Sequence, residues 1–103
     1  MELKELKEKA LEIVELYNKH DSLDGKKITT TEGIVMQFVS DVGDLSRYIV
    51  KKERGDQSED FNENVARELA ECLGHILVLS EKYGVDVEEA FVKEFDRLKS
   101  QLL

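Results

Sequence analysis

Apolar residues recur every three or four positions in four stretches of this chain, a period typical of amphipathic α-helices. We expect the helices to span about residues 2–19, 30–54, 61–83 and 87–102, because the period holds over those ranges. The chain contains no proline that would interrupt them. Four helices joined by short loops predict a single all-α domain, a four-helix bundle.

The apolar stripe of each predicted helix is expected to face the core of the bundle. In the first helix the stripe comprises Leu3, Leu6, Ala10, Ile13, Val14 and Tyr17. In the second helix it comprises Ile34, Val35, Phe38, Val42, Leu45 and Ile49. In the third helix it comprises Val65, Leu69, Cys72, Leu73, Ile76 and Tyr83. In the fourth helix it comprises Val87, Ala90, Phe91, Phe95, Leu98 and Leu102.

Short polar segments predict where the helices begin and end. Three pairs match the capping box, in which a cap residue and a Glu three positions later satisfy free amides. These pairs are Thr29 with Glu32, Asp60 with Glu63, and Asp86 with Glu89. Gly84 is expected to end the third helix. The helical period stops at His20, so residues 20–27 are expected to form a loop, in which Lys26 and Lys27 are candidates for phosphate contact.

Two pairs of acidic residues lie beside the stripes of the second and third helices. Asp41 and Asp44 are three positions apart on the second helix, and Glu68 and Glu71 repeat that spacing on the third. Either pair alone is more typical of a solvated helix face. If the two pairs converge, the four carboxylates require a cation to be stable together. Hard oxygen ligands select Mg²⁺ or Mn²⁺.

The charge of the chain narrows the choice of partners. With 15 basic and 23 acidic side chains in 103 residues, the net charge is -8. That charge disfavours binding to a nucleic-acid duplex, whereas bound metal ions would let an acidic protein bind a phosphorylated small molecule. No apolar run approaches the roughly 20 residues of a membrane span, and the start of the chain lacks the pattern of a signal peptide. We therefore expect a soluble, unprocessed protein in the cytoplasm.

Four side chains invite other chemistry. Cys72 lies on an apolar stripe and is expected to be a small buried hydrophobe, rather than a nucleophile or half of a disulfide. His75 follows Glu71 at i, i+4, whereas di-iron sites of ferritin-like proteins use i, i+3, so we rank iron below magnesium. Ser80 is expected to bond back to a carbonyl one turn earlier. His20 is expected to be exposed at a helix end rather than to serve as a ligand or a base.

Four segments of the chain carry a family resemblance. They are Ser40-Asp41-Val42-Gly43-Asp44-Leu45, Glu68-Leu69-Ala70-Glu71, Leu73-Gly74-His75-Ile76-Leu77 and Lys82-Tyr83-Gly84-Val85-Asp86-Val87-Glu88-Glu89-Ala90. Together these segments resemble the MazG-like nucleotide pyrophosphohydrolases, in the all-α NTP pyrophosphatase group that also includes dimeric dUTPases. The similarity covers about residues 29–98. It implies the MazG-like type of helical bundle, completed by dimerisation.

The resemblance also implies a metal site. Members of the family bind Mg²⁺ through ExxE on one helix and ExxD on the next. These motifs fall here on Asp41 with Asp44 and on Glu68 with Glu71. Three of the four acids differ in type from the family pattern, but all four keep a carboxylate. Other departures, where relatives carry a Glu, a Lys and an Asn, are at Ser40, Glu94 and Leu98.

The activity that the resemblance implies is hydrolysis of a nucleoside triphosphate to the monophosphate and pyrophosphate, with Mg²⁺ or Mn²⁺. The four acids would be the metal ligands and the catalytic residues. Candidates for phosphate contact are Arg47, Lys51, Lys52 and Arg54. Tyr48 is a candidate for stacking on a base, and equally for a plain aromatic at the edge of the core.

Two further expectations concern assembly. The family commonly forms homodimers or tetramers, and the apolar residues of the fourth helix favour the same outcome here. The alternative function is a catalytically silent helical module that acts in dimerisation or partner binding. Ser40, Glu94 and Leu98 favour that alternative, because each removes a polar group that the family uses.

Overall fold

The computed structural model describes residues 1–23 and 29–103, and it describes the side chains of residues 1–20 and 29–103. Within these residues the chain forms four helices and no strand. The helices are α1 (Leu3–Leu23), α2 (Thr31–Glu53), α3 (Phe61–Lys82) and α4 (Val87–Leu102). The predicted all-α class with four helices is therefore confirmed.

The end of α1 differs from the prediction. The helix continues through His20 to Leu23 instead of giving way to a loop at residue 20. A terminal turn can remain helical without an apolar stripe, so the loss of the apolar period at residue 20 did not mark the end of the helix. The predicted phosphate contacts Lys26 and Lys27 lie outside the described residues. Among the described helices, none has both the length and the apolar character needed to cross a bilayer.

The helix starts agree with one of the three predicted capping boxes. The Asp86 carboxylate accepts a hydrogen bond from the Glu89 backbone N–H at 3.0 Å, which confirms the cap of α4. For α2 the prediction was wrong by one residue, because Thr30 and not Thr29 caps the helix, with its hydroxyl oxygen 3.0 Å from the Gly33 nitrogen. Asp60 makes no side-chain cap bond to any described residue, since its backbone (φ -90°, ψ 7°) lacks the extended conformation of a cap residue.

Both α2 and α3 end in a left-handed glycine. Gly55 has φ 98° and Gly84 has φ 64°, values that residues with a Cβ rarely adopt. After α3, the Gly84 N–H donates to the Glu81 carbonyl at 3.2 Å and the Val85 N–H donates to the Ser80 carbonyl at 2.8 Å. This is the hydrogen-bond pattern of a Schellman motif. The prediction that Gly84 ends the third helix is confirmed.

Helix α3 is the centre of the packing, because both α2 and α1 lie against it. The buried residues of the described chain all lie on α2 and α3. They are Asp41, Glu68, Cys72, Leu77, Val78 and Ser80. Among the described side chains, neither α1 nor α4 has a buried residue, but α1 packs against α3, so the core lies between α1, α2 and α3.

The predicted stripes were only partly correct. In α2, Ile34, Phe38 and Leu45 are half-buried, but Val42 and Ile49 are exposed. The reason is that α2 and α3 each carry apolar residues over more than one face, and packing between α1, α2 and α3 covers only some of those faces. The exposed apolar residues of the predicted stripes within α2 and α3, with Val39 of α2, are here named the outer apolar face, and they are Val35, Val39, Val42, Ile49, Leu69, Leu73 and Ile76.

Other predicted core residues also lie at the surface. Ile13 and Tyr17 of α1 are exposed, as are Ala90, Leu102 and Tyr83. On α4, Phe91 and Phe95 are exposed too, and their rings stack on each other with centroids 4.2 Å apart. The fourth helix therefore presents an aromatic pair to its surroundings instead of contributing it to the core.

Candidate metal centre

Three acidic side chains meet where α2 packs on α3. Asp41 and Asp44 come from successive turns of α2, and Glu68 faces them from α3. One carboxylate oxygen from each residue can be chosen so that all three lie within 4.8 Å of one another. Asp41 and Glu68 are each only 5% exposed, and Asp44 is half-buried. This group, here named the acid cluster, could hold a metal ion.

Ionisation of Glu68 within the cluster is electrostatically unfavourable. Burial raises the pKa of its carboxyl group, and the negative charges of Glu71, Asp41 and Asp44 raise it further. Its Oε2 atom is buried and has no hydrogen-bond partner among the described residues. A buried carboxylate oxygen without a partner is costly, and either a proton or a cation would remove that cost.

Asp41 is held at both of its carboxylate oxygens. The amide Nε2 of Gln37, one turn earlier on α2, donates to Oδ1 at 3.1 Å. The ring Nε2 of His75, on α3, lies 2.7 Å from Oδ2. The ring of His75 in turn packs at a tilt against Phe38, with centroids 6.0 Å apart. The side chain of Asp41 therefore has a fixed direction toward the cluster.

These two partners of Asp41 were not predicted. Gln37 could have been found, because an amide at i-4 is within reach of a helical carboxylate. His75 was considered only beside Glu71 on its own helix. Its contact with Asp41 joins residues 34 positions apart, and such a pairing depends on how α2 and α3 pack.

Asp44 already has a cationic neighbour. The Nη2 atom of Arg47 lies 3.1 Å from Oδ1 of Asp44, and the guanidinium carbon lies 5.7 Å from the centroid of the Tyr48 ring. Arg47 is more than half exposed, so it can move without disturbing the core. It partly offsets the negative charge of the cluster.

The structure does not bring Glu71 into the acid cluster as the fourth ligand. Its side chain is exposed, because a step of three positions from Glu68 turns it away from the centre of the α2–α3 contact. Its charge is still close enough to raise the pKa of Glu68. Glu71 thus lies at the rim of the cluster.

The predicted substrate residues lie toward the C-terminal end of α2. Tyr48 and Lys51 line a cavity of about 170 Å³ between the end of α2 and the start of α3. Its other lining residues are Lys52, Asp56, Ser58, Asp60, Phe61 and Asn64. Lys52 Nζ lies 5.1 Å from the centroid of the Phe61 ring. Arg54 is exposed beyond the end of α2, and Arg47 lies beside Asp44 instead of lining the cavity.

Cys72 and Ser80 behave as predicted. Burial, followed by the charges of Asp41, Glu68 and Glu71, raises the pKa of the Cys72 thiol, which disfavours the thiolate that a nucleophile or a metal ligand requires. The Ser80 hydroxyl is buried and donates to the Leu77 carbonyl at 2.7 Å. His20 is exposed, in the last turn of α1.

Comparisons of the chain with models of protein families, with curated proteins and with solved structures find no match. The resemblance to the MazG-like pyrophosphohydrolases therefore stays a prediction from the residues that carry it. The chemistry of the site is therefore inferred from its geometry. Three carboxylates meet there, the Oε2 atom of Glu68 has no hydrogen-bond partner among the described residues, and all the potential metal-ligand atoms of the cluster are oxygens. Such a donor set suits a hard divalent cation such as Mg²⁺ or Mn²⁺.

Proposed function

We propose that this protein is a Mg²⁺-dependent pyrophosphohydrolase of nucleoside triphosphates with a MazG-like helical fold. The observation that carries the proposal is the convergence of Asp41, Asp44 and Glu68 from two neighbouring helices, together with the buried Oε2 atom of Glu68, which has no hydrogen-bond partner among the described residues. Buried acids that repel one another lower the stability of the folded protein, so their presence calls for a compensating role. Binding a cation is the role that their oxygen atoms suit best.

In this proposal Asp41, Asp44 and Glu68 hold Mg²⁺ or Mn²⁺, and the negative charge of Glu71 at the rim adds to the attraction for the ion. An ion held there would neutralise phosphate charge and lower the pKa of the attacking water. The ligands themselves come from packed helices, and Asp41 is hydrogen-bonded at both oxygens. Little reorganisation is therefore needed on binding, and this favours catalysis that depends on fixed charges.

The substrate would extend from the acid cluster along α2. Arg47 lies beside Asp44 and is free enough to turn toward a phosphate. Tyr48, the next residue, and Lys51, one turn further, line the cavity at the start of α3 and would contact the nucleoside. Along α2 the acids Asp41 and Asp44 come first, and Arg47 and Tyr48 follow. This order matches that of a nucleotide whose triphosphate lies at the acids and whose nucleoside lies further along the helix.

We also propose that the chain forms a homodimer or a tetramer. The outer apolar face exposes seven large apolar residues of α2 and α3, and α4 exposes the stacked pair Phe91 and Phe95. This number of large exposed apolar residues on three helices favours contact with another protein surface. A second copy of the chain would cover them and enlarge a core to which α4 now contributes no buried residue.

The second candidate function is a catalytically silent helical module that dimerises or binds a partner. The structure adds one observation in its favour. Glu94, which stands where relatives carry a nucleotide-binding Lys, is engaged by Arg97 on the same helix, with Nε and Oε2 3.0 Å apart. A carboxylate at this position offers no positive charge to a nucleotide phosphate, and its own charge is offset by Arg97.

One experiment separates the two functions. The purified protein is incubated with each common nucleoside triphosphate, with and without Mg²⁺, and the release of pyrophosphate is measured. The enzyme hypothesis predicts pyrophosphate and the monophosphate in equal amounts, only when Mg²⁺ or Mn²⁺ is present. Absence of hydrolysis for every triphosphate, together with a stable oligomer, would instead support the silent module.

A further inference from the structure

His75 occupies a special position relative to the acid cluster. It lies seven residues after Glu68, so both side chains project from the same face of α3. Glu68 faces the cluster with a carboxylate, whereas His75 reaches Oδ2 of Asp41 on the opposite helix at 2.7 Å. One face of α3 thus contributes Glu68 to the cluster and, through His75, also holds the carboxylate of Asp41, which α2 contributes.

The geometry defines which atom of the ring carries the hydrogen. A carboxylate offers only acceptors, so the Nε2 atom of His75 must be the donor in its contact with Asp41. Gln37 donates to the other oxygen, Oδ1. The two donors occupy one acceptor direction on each oxygen and leave others for an ion, since a carboxylate has about four such directions.

The ring of His75 is itself positioned by its surroundings. Its side chain is 22% exposed, and Phe38 lies against it with an interplanar angle of 48°. Phe38 is one turn before Asp41 on α2, close to Gln37. The Nε2 atom of His75 is therefore held beside Asp41 by a ring that is mostly buried and packed against Phe38.

From this arrangement we infer that His75 is a positioning residue of the metal site: it fixes the carboxylate of Asp41 through Nε2 and thereby raises the affinity of the cluster for a divalent cation. The inference rests on the proposed function, because it assigns a role toward the same site. Partners behind a metal ligand orient it, and losing one typically weakens metal binding by about 10–100-fold.

Two amide substitutions test the role of the Nε2 atom. In His75→Gln, the side-chain nitrogen falls close to the place of the imidazole Nε2, so it can still donate to Asp41. In His75→Asn, the nitrogen falls close to the place of Nδ1 and cannot reach Asp41. Both variants replace the imidazole ring by a side-chain amide, so the loss of the ring's packing affects both of them, whereas the loss of the hydrogen bond to Asp41 affects only His75→Asn.

The probe is Mn²⁺ alone, titrated into the full chain and followed by electron paramagnetic resonance, which reports free Mn²⁺ without any substrate. We expect His75→Gln to bind within a few-fold of the wild type, and His75→Asn to bind about 10–100-fold more weakly. His20→Asn is the matched control, because His20 is the other histidine and is exposed on α1. It should bind as the wild type does.

Circular dichroism establishes that each variant is folded, and if His75→Asn is not, His75→Phe replaces it, because that ring keeps the shape of the imidazole without a donor. Equal affinity of the wild type and the Asn or Phe variant would overturn the positioning role and leave the metal site intact. If His75→Gln binds Mn²⁺ as weakly as His75→Asn does, the positioning role is overturned as well, since a hydrogen-bond donor at the place of Nε2 would then make no difference to the affinity. A wild type that binds no Mn²⁺ would overturn the proposed function itself.

Discussion

Arg47 and Asp44 form an ion pair one turn apart on α2, with Nη2 and Oδ1 separated by 3.1 Å. Asp44 is also a member of the acid cluster, so Arg47 and a bound metal ion compete for the same carboxylate. In the proposed function the same guanidinium group would contact a phosphate of the triphosphate. Arg47 would then oppose metal binding and favour substrate binding.

The first prediction follows from these opposite effects. Replacing Arg47 by Gln should tighten the binding of Mn²⁺ by at most about five-fold, because exposed ion pairs contribute less than about 1 kcal/mol. The same change should raise the KM for a triphosphate, since a phosphate contact is lost. Metal titration and steady-state kinetics give the two values. Lys9→Gln, which removes one positive charge at an exposed position on α1, should alter neither.

The second prediction concerns catalysis by Glu68. Glu68→Gln removes one ligand charge with almost no change of shape, and it should reduce triphosphate hydrolysis by at least about a hundredfold, the usual scale for losing a group that organises transition-state charge. Glu8→Gln changes the net charge equally at an exposed position on α1 and should leave the rate unchanged. If Glu68→Gln retains the full rate with the same metal dependence, the placement of the site is wrong.

The third prediction is a stability difference that depends on pH. The pKa of Glu68 is raised above its ordinary value of 4.5, so the folded protein binds this proton more tightly than the unfolded chain does. The resulting stabilisation is complete below the unfolded pKa and is lost as the pH rises through the raised, folded pKa.

Chemical denaturation in the presence of a chelator, at several pH values, measures this effect. Glu68→Gln cannot lose a proton, so its stability relative to the wild type should increase as the pH rises from about 4.5 toward neutrality. Glu8→Gln provides the baseline for a change of net charge. A difference between Glu68→Gln and the wild type that stays constant with pH would contradict the raised pKa.

The fourth prediction is thermal stabilisation by metal. A divalent cation that binds only the folded protein raises the free energy of unfolding by mass action, by about 2.7 kcal/mol when the free metal is 100 times its Kd. Scanning calorimetry with Mg²⁺ should therefore show a higher Tm than with NaCl of equal ionic strength. The increase should disappear in Asp41→Asn, which removes a buried member of the acid cluster.

The fifth prediction concerns assembly through the outer apolar face. Light scattering at micromolar concentration should give the mass of a dimer or a tetramer. Val42→Lys places a charge in the middle of that face and should shift the protein toward the monomer. Ile13→Lys, at an exposed apolar position on α1, is the matched control and should keep the wild-type mass. A monomeric wild type would exclude this assembly.

The sequence predicted the helices well because helical periodicity and cap signals are local. It also indicated that Asp41, Asp44 and Glu68 could meet, since each lies next to an apolar stripe, and the structure brings them together. It failed where the answer depends on packing between helices. Helices α2 and α3 offer more than one apolar face, so Val42 and Leu69 were assigned to the core although they are exposed.

The same limit applies at the candidate metal centre. Glu71 follows Glu68 at the spacing that separates Asp44 from Asp41, but its side chain is exposed at the rim of the cluster. The spacing of His75 from Glu71 on α3 gives no sign of the contact that His75 makes with Asp41 on α2. No periodicity within one helix contains that information.

The glycine turn that ends α3 and the absence of buried residues on α4 have a consequence for exchange of amide hydrogens with solvent. Because no residue of α4 is itself buried, its amides in a monomer can exchange through local unfolding, at a small fraction of the global free energy. The amides of α3, covered by two helices, should exchange only through much larger openings. A deuterium-labelling experiment run across protein concentrations would then show protection of the α4 amides rising if a second chain covers Phe91 and Phe95.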